Sequence, residues 1–305
     1  MAARLTGLVA ATHTPFNADG ALNLDVIEQQ AEGLVKAKVS AAFITGTTGE
    51  CSSLTIEERI AVTRRWTEVV KGSPLKVIVH VGSNCQADSV MLARTAAEAG
   101  AAGFSALSPS YFKPANVAEL LRFLQPITAA AAGLPFYFYD IPSMTAVALS
   151  MVEFLDQAPA KLPNLAGIKY TNGDLVQLQE LLRIDPDRFD ILFGSDEALL
   201  AAWTLGVKGA VGSTYNFAAA IYHRVLAAFD RGDWKTARQQ QAESVRLVRL
   251  LCRYTYMPAS RHVLTLQGIP VGPTRSPLKQ LSAEEQTSLE RDLHASGLWQ
   301  VLQAD

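Results

Sequence analysis

Cysteine is scarce in this chain: Cys51, Cys85 and Cys252 are the only three in 305 residues, and none forms a CxxC pair. An odd number of widely spaced thiols fits reduced cysteines in a cytosol better than a disulfide framework. Basic runs are also missing. The formal net charge is -2 and no arginine-rich stripe tracks along the chain, so a nucleic-acid partner is not expected. His13, His80, His223, His262 and His294 are scattered without HxH or HExxH spacing, which leaves no seed for a metal cluster. Long apolar runs are absent too. The most apolar stretch, Ile127 to Tyr139, contains Gly133 and Pro135 and is too short to span a bilayer, while Met1 to Val9 lacks the core of a signal peptide. The expectation is an unprocessed cytoplasmic protein with a small-molecule ligand, no membrane partner, and neither metal nor organic cofactor.

What is present is a core-forming composition, 49% hydrophobic and 18% charged, arranged as short β-rich runs alternating with longer helical patterns. The runs fall near residues 5–11, 41–46, 77–82, 103–108, 135–140, 165–170, 190–195 and 209–214, eight in all. Helix-start signals follow several of them: Thr55 with Glu58, Asn116 with Glu119, and Ser150 with Glu153 stand at capping-box spacing. Eight βα units without a GxGxxG turn after the first strand predict a closed (β/α)₈ TIM barrel, not a doubly wound sheet. Strand patterning stops near Ala218. The expected division is a barrel over 1–217 and a C-terminal helical appendage over 218–305, with helices broken at Pro258 and around Gly268 to Pro277.

In such a barrel the reactive groups stand at strand C-termini. Lys169 closes the run Leu165-Ala166-Gly167-Ile168-Lys169-Tyr170, where period-two alternation groups it with Leu165 and Gly167, opposite Ala166 and Ile168. Burial disfavours the charged form of an amine, and a neutral amine can attack a ketone to give an iminium that stabilises a carbanion on the neighbouring carbon. The competing reading is a lysine snorkelling from a strand end. Tyr139 ends the preceding strand, Pro135 to Asp140, so adjacent parallel strands could bring its phenol to the same mouth as a proton shuttle; otherwise it is one more aromatic in a β run. After the second strand, Gly46-Thr47-Thr48-Gly49-Glu50 offers converging N–H groups and hydroxyls suited to a carboxylate, though the same residues also suit an ordinary turn. Thr171 could add a hydroxyl beside the lysine, or cap a helix with Asn172 or Asp174. His13, just after the first strand, is the histidine best placed to line the site.

Taken together, Gly46-Thr47-Thr48-Gly49-Glu50, Tyr139-Asp140-Ile141-Pro142 and Gly167-Ile168-Lys169-Tyr170-Thr171 resemble the pyruvate-dependent aldolase superfamily of N-acetylneuraminate lyases and dihydrodipicolinate synthases, over almost the whole chain. The resemblance implies that Lys169 is the Schiff-base lysine, that Tyr139 is the proton shuttle, and that Thr47 and Thr48 bind the keto-acid carboxylate. It further implies a homotetramer, in which Tyr111 of Ser108-Pro109-Ser110-Tyr111-Phe112-Lys113-Pro114 reaches into a neighbour's site.

Within the superfamily, Phe193-Gly194-Ser195-Asp196-Glu197 and Gly212-Ser213-Thr214-Tyr215-Asn216 look like the sialic acid lyase branch. That implies a polyol site made by Thr171, Gly194, Asp196, Glu197 and Ser213. Ionised carboxylates accept hydrogen bonds from several hydroxyls, although two acids in a first helical turn also complement the helix dipole. Met144 stands where the synthases place an arginine, and a thioether cannot supply a guanidinium fork, which argues against that activity. Ser195 and Asp140 depart from the lyase pattern and bear on acyl-group preference. The expected activity is reversible cleavage of N-acetylneuraminate to pyruvate and N-acetylmannosamine. The alternatives are another pyruvate aldolase acting on a 2-keto-3-deoxy sugar acid, and a non-catalytic sugar-acid sensor.

Overall fold

The computed structural model describes residues 4–303; residues 1–3 and 304–305, at the two ends of the barrel and appendage ranges, lie outside the described residues. Eight parallel strands close on themselves in chain order: β1 (Gly7–Ala11), β2 (Ala41–Ile44), β3 (Lys76–His80), β4 (Gly103–Leu107), β5 (Phe136–Asp140), β6 (Leu165–Tyr170), β7 (Asp190–Phe193) and β8 (Gly209–Gly212), with β8 pairing back to β1. This is the expected (β/α)₈ barrel. Several strands are shorter at their C-termini than the apolar runs suggested. At β2, Thr45 turns to a φ of 51° and takes residues 45–46 out of the ladder into the mouth loop.

Two apolar layers hold the barrel. Leu8, Ala10, Ile44, Val79, Phe138 and Ile168 face outward into the layer shared with the helices. Val9, Phe43, Ile78, Tyr139, Leu192 and Val211 fill the interior. Each strand therefore alternates between two dry surfaces, which is why the runs read as continuously apolar.

The helix starts behave as capping chemistry requires. Thr55 and Glu58 form the complete reciprocal box. Asn116 and Ser150 accept from the expected N–H groups of Glu119 and Glu153, but those two acids turn elsewhere, to Ala115 N and to Gln157.

After β8 come helices at Ala219–Asp230, Trp234–Arg253, Tyr256–Leu266, Ala283–Ala295 and Leu298–Gln303. The expected break at Pro258 is displaced. Pro258 is the third residue of its helix, in the first turn where no N–H partner is required, and the chain bends instead at Thr255, which has a φ of 65°. The irregular stretch around Gly268 to Pro277 is as expected. Among the described residues no helix is long and apolar enough to cross a membrane.

Candidate active site

Tyr139 and Lys169 are direct register partners across the β5–β6 ladder. Lys169 is only 4% exposed, and its Nζ lies 3.8 Å from the centroid of the Tyr139 ring and 4.1 Å from that of Phe43. The alternation leading to it is not the regular one. The register shifts between Phe136 and Tyr137, so that Phe136 pairs with Leu165 and Tyr137 with Gly167, leaving Ala166 as an extra residue. Leu165 consequently packs in the outer layer while Ala166 contacts the interior, the reverse of the expected grouping with Lys169. The bulge is what lets a strand that starts with an outward leucine finish with an inward lysine.

Opposite the lysine, the loop from Gly46 to Glu50 is bracketed by two residues with positive φ, Thr45 at 51° and Glu50 at 55°. Thr14 Oγ1 donates to Gly49 O at 2.7 Å, Glu50 N to Thr47 O at 3.0 Å, and Cys51 N to Gly46 O at 3.1 Å. Thr47 and Thr48 are left half-buried at its tip, with Thr47 Oγ1 3.4 Å from the Tyr139 hydroxyl, a long contact that a substrate oxygen could shorten.

Two residues that the sequence reading did not select complete this wall. Phe43 and His80 pack on Tyr139 edge-on, with ring centroids 5.9 and 5.7 Å away. His80 is fully buried and neither ring nitrogen has a partner; burial first, then the charges of Arg59 and Lys169, hold its pKa well below the usual histidine value. It is a neutral aromatic spacer. Alternation along the second strand is the signal that could have marked Phe43 as inward, whereas β3 had to be ended before His80 could be assigned a direction. His13 does not line the mouth as expected. It is fully buried, with Nε2 2.9 Å from Ser260 Oγ in the C-terminal helices.

On the far side, β6, β7 and β8 bring their ends together. The Thr171 hydroxyl is buried without a partner, and it does not cap the following helix; Asp174 does, accepting from Val176 N and Gln177 N. That hydroxyl lies so close over Gly194 that a β-carbon there would sit 1.9 Å from Oγ1. Gly212 likewise makes room for Asp196, whose Oδ1 would be 1.8 Å from an added β-carbon.

Asp196 is buried, and its Oδ2 accepts from Thr214 N at 2.8 Å and from the Thr214 hydroxyl. Burial pushes its pKa up to about 6, against the pull of the Thr214 hydrogen bonds. Glu197 is exposed beside it. Ser213 Oγ stands 2.7 Å from the hydroxyl of Tyr256, a further site residue contributed by the C-terminal helices that no strand-end motif could have revealed.

Asp140 does not join this group. It follows inward-facing Tyr139, so it points outward, where its carboxylate accepts from Asn172 Nδ2 at 3.1 Å and burial raises its pKa to about 6. Ser195 is half-buried at the mouth. At the rim, Tyr111 and Phe112 project from the β4 loop, 77% and 85% exposed and stacked edge to face, their loop held by Asn84 Oδ1, which accepts from Ser110 N and Tyr111 N. Met144 is 63% exposed. Among the described residues no group of three or more His, Cys, Asp or Glu is arranged to hold a metal ion.

A buried lysine paired with a tyrosine at the mouth of a (β/α)₈ barrel, facing a hydroxyl-rich loop, defines a site for covalent carbonyl chemistry. Residues 4–296 match the dihydrodipicolinate synthetase family, and the chain belongs to that family. It is 39% identical to the N-acetylneuraminate lyase of Danio rerio over 295 residues, which is 95% of this chain and 96% of that one. Among solved structures it resembles the N-acetylneuraminate lyase of Proteus mirabilis, with a TM-score of 0.93 and 35% identity over 96% of this chain and 99% of that one. The sialic acid aldolase of Aliivibrio salmonicida is similar to the same degree, at 0.93 and 37% over 96% and 97% of the two chains.

Proposed function

We propose that the chain cleaves N-acetylneuraminate to pyruvate and N-acetylmannosamine through an imine on Lys169. It is a carbon–carbon lyase of the class I aldolase type, as its family and its likeness to sialic acid lyases indicate. The observation that carries the residue assignment is the ladder pairing of Tyr139 with a Lys169 buried between two aromatic faces.

The Lys169 amine attacks the C2 carbonyl of the open-chain substrate, and loss of water leaves an iminium. Tyr139, having given its phenolic proton to the departing water, takes the proton of the C4 hydroxyl. The C3–C4 bond then breaks, its electron pair moves into the iminium to form an enamine, and the aldehyde departs. The enamine carbon recovers a proton, and hydrolysis releases pyruvate and the free amine. Thr47 and Thr48 bind the substrate carboxylate. Thr171, Gly194, Asp196, Glu197 and Ser213 surround the polyol. In this reading Gly194 acts by being small, which lets the free Thr171 hydroxyl face the ligand.

The test is borohydride reduction in the presence of pyruvate followed by peptide mass mapping. The expected result is a pyruvate-derived mass gain on Lys169 that Lys169→Ala abolishes. An adduct elsewhere, or no pyruvate release from N-acetylneuraminate, refutes the assignment. A homotetramer completed by Tyr111 from a neighbouring copy is supported by the exposed Tyr111–Phe112 pair, and light scattering of the wild type and Tyr111→Ala tests it. Three unpaired cysteines favour the cytoplasm as its compartment.

A further inference from the structure

Beneath the carboxylate loop lies a buried ion pair that the steps above do not use. Glu50 and Arg261 have side chains 0% and 2% exposed, with Arg261 Nη1 2.9 Å from Glu50 Oε1. The rest of the guanidinium is occupied by main-chain carbonyls: Nη2 donates to Thr14 at 2.8 Å and Val271 at 2.6 Å, and Nε to Gly272 at 2.9 Å. Glu50 Oε2 accepts from Arg275 N at 2.9 Å. Both ends of this bridge reach the loop. Glu50 N holds Thr47 O, and Thr14, whose carbonyl Arg261 grips, holds Gly49 O through its hydroxyl.

A carboxylate two residues after Thr48 is badly placed for a loop that must accept an anion. In a dry interior its repulsion is poorly screened, and the charge of Arg261, in direct contact with Glu50 and acting more strongly on it than that of Arg275, is what chiefly offsets it. The pair also holds Glu50 at its positive φ, which a glutamate adopts only under external constraint.

We infer that Arg261 is a positioning residue for the keto-acid carboxylate: it clamps and neutralises Glu50, so that the Gly46–Glu50 loop keeps its shape and does not repel the substrate. The inference rests on the reading of Thr47 and Thr48 as the carboxylate binders. It makes the C-terminal helices part of the substrate site by way of a contact between residues 211 apart.

The experiment measures, on the full chain, the pyruvate concentration that half-saturates borohydride trapping at Lys169, together with thermal midpoints. It compares the wild type with Arg261→Gln, Arg261→Lys, Glu50→Gln and the double variant Glu50→Gln/Arg261→Gln. Leaving Glu50 unpaired in Arg261→Gln is expected to raise the half-saturating pyruvate by about tenfold or more, with a smaller change in trapping rate at saturation. Arg261→Lys, which keeps the charge, weakens binding less. The double variant, neutral again, recovers most of the loss, and Glu50→Gln alone gives a value at or below the wild type.

A purely structural bolt predicts the opposite ordering, with both single variants weakened and the double variant no better than Arg261→Gln; that result overturns the proposal. Should Arg261→Gln not fold, weaker pyruvate binding in Glu50→Gln overturns it independently. No adduct in the wild type refutes the function reading and this inference with it. A normal wild-type adduct with unchanged binding in folded Arg261→Gln refutes the inference alone.

Discussion

Replacing Asp196 with asparagine isolates the cost of keeping an ionised carboxylate in the barrel mouth. The folded pKa of Asp196 is about 6, raised from an ordinary 3.8 chiefly by burial. A carboxyl whose pKa rises on folding favours the folded state in its protonated form. Its contribution is therefore fully present below pH 3.8 and is lost as pH climbs through about 6. The difference of about 2 pKa units corresponds to roughly 3 kcal/mol of stability forgone at pH 7.5 and above. Asparagine can still accept from Thr214 N and carries no charge, so Asp196→Asn should recover much of that amount at pH 8 and little at pH 4.

For a chain of this size the gain is a rise in thermal midpoint on the order of 5 °C at pH 8. Calorimetry or urea titration of both proteins across pH 4–8 reads it directly. The same substitution should raise KM for the sugar acid while leaving pyruvate trapping at Lys169 intact if, as proposed, the carboxylate faces the polyol. Equal destabilisation by Asp196→Asn at pH 4 and pH 8 would mean that ionisation is not what Asp196 costs, and the electrostatic reading of the pocket would be wrong.

Gly194→Ala puts a methyl carbon 1.9 Å from the Thr171 hydroxyl, so Thr171 must move; KM for N-acetylneuraminate should rise at least tenfold while pyruvate trapping changes little, and an unchanged KM would remove Thr171 from the site. Phe43→Ala deletes one of the two ring faces on Lys169 and opens a cavity in the interior, with an expected loss of about 3–5 kcal/mol in urea unfolding and a parallel loss of imine formation. We propose that the barrel range 1–217 is not stable without the extension 218–305, because Leu247, Leu251, Val263 and Leu264 share one buried cluster with outward-facing barrel residues. A stop after Phe217 should therefore give insoluble or protease-sensitive protein, and a folded fragment with a cooperative melt would contradict this.

How far the residues themselves announced the site varies with the distance over which the physics acts. Lys169 and Tyr139 were legible because each closes an apolar run and consecutive parallel strands are neighbours. The Thr55–Glu58 cap was legible because it depends on four residues. The bulge at Ala166 was not. Strict alternation is the default for any strand, and an extra residue shows only when the partner's register is known. Asp140 could have been excluded from the mouth, since an inward Tyr139 forces its successor outward.

By itself the amino-acid order determined the eight-fold repetition of strand and helix, the dry strands, and the strand ends where polar groups emerge, since these follow from local periodicity and turn chemistry. Tertiary structure alone decided which of those groups lost water and what each then met. His80 became a neutral ring against Tyr139, His13 turned to Ser260, Tyr256 arrived beside Ser213, and Arg261 crossed from the C-terminal helices to Glu50. Burial, charge compensation and the direction of a side chain depend on every element packed around a position, and no stretch of neighbouring residues contains that information.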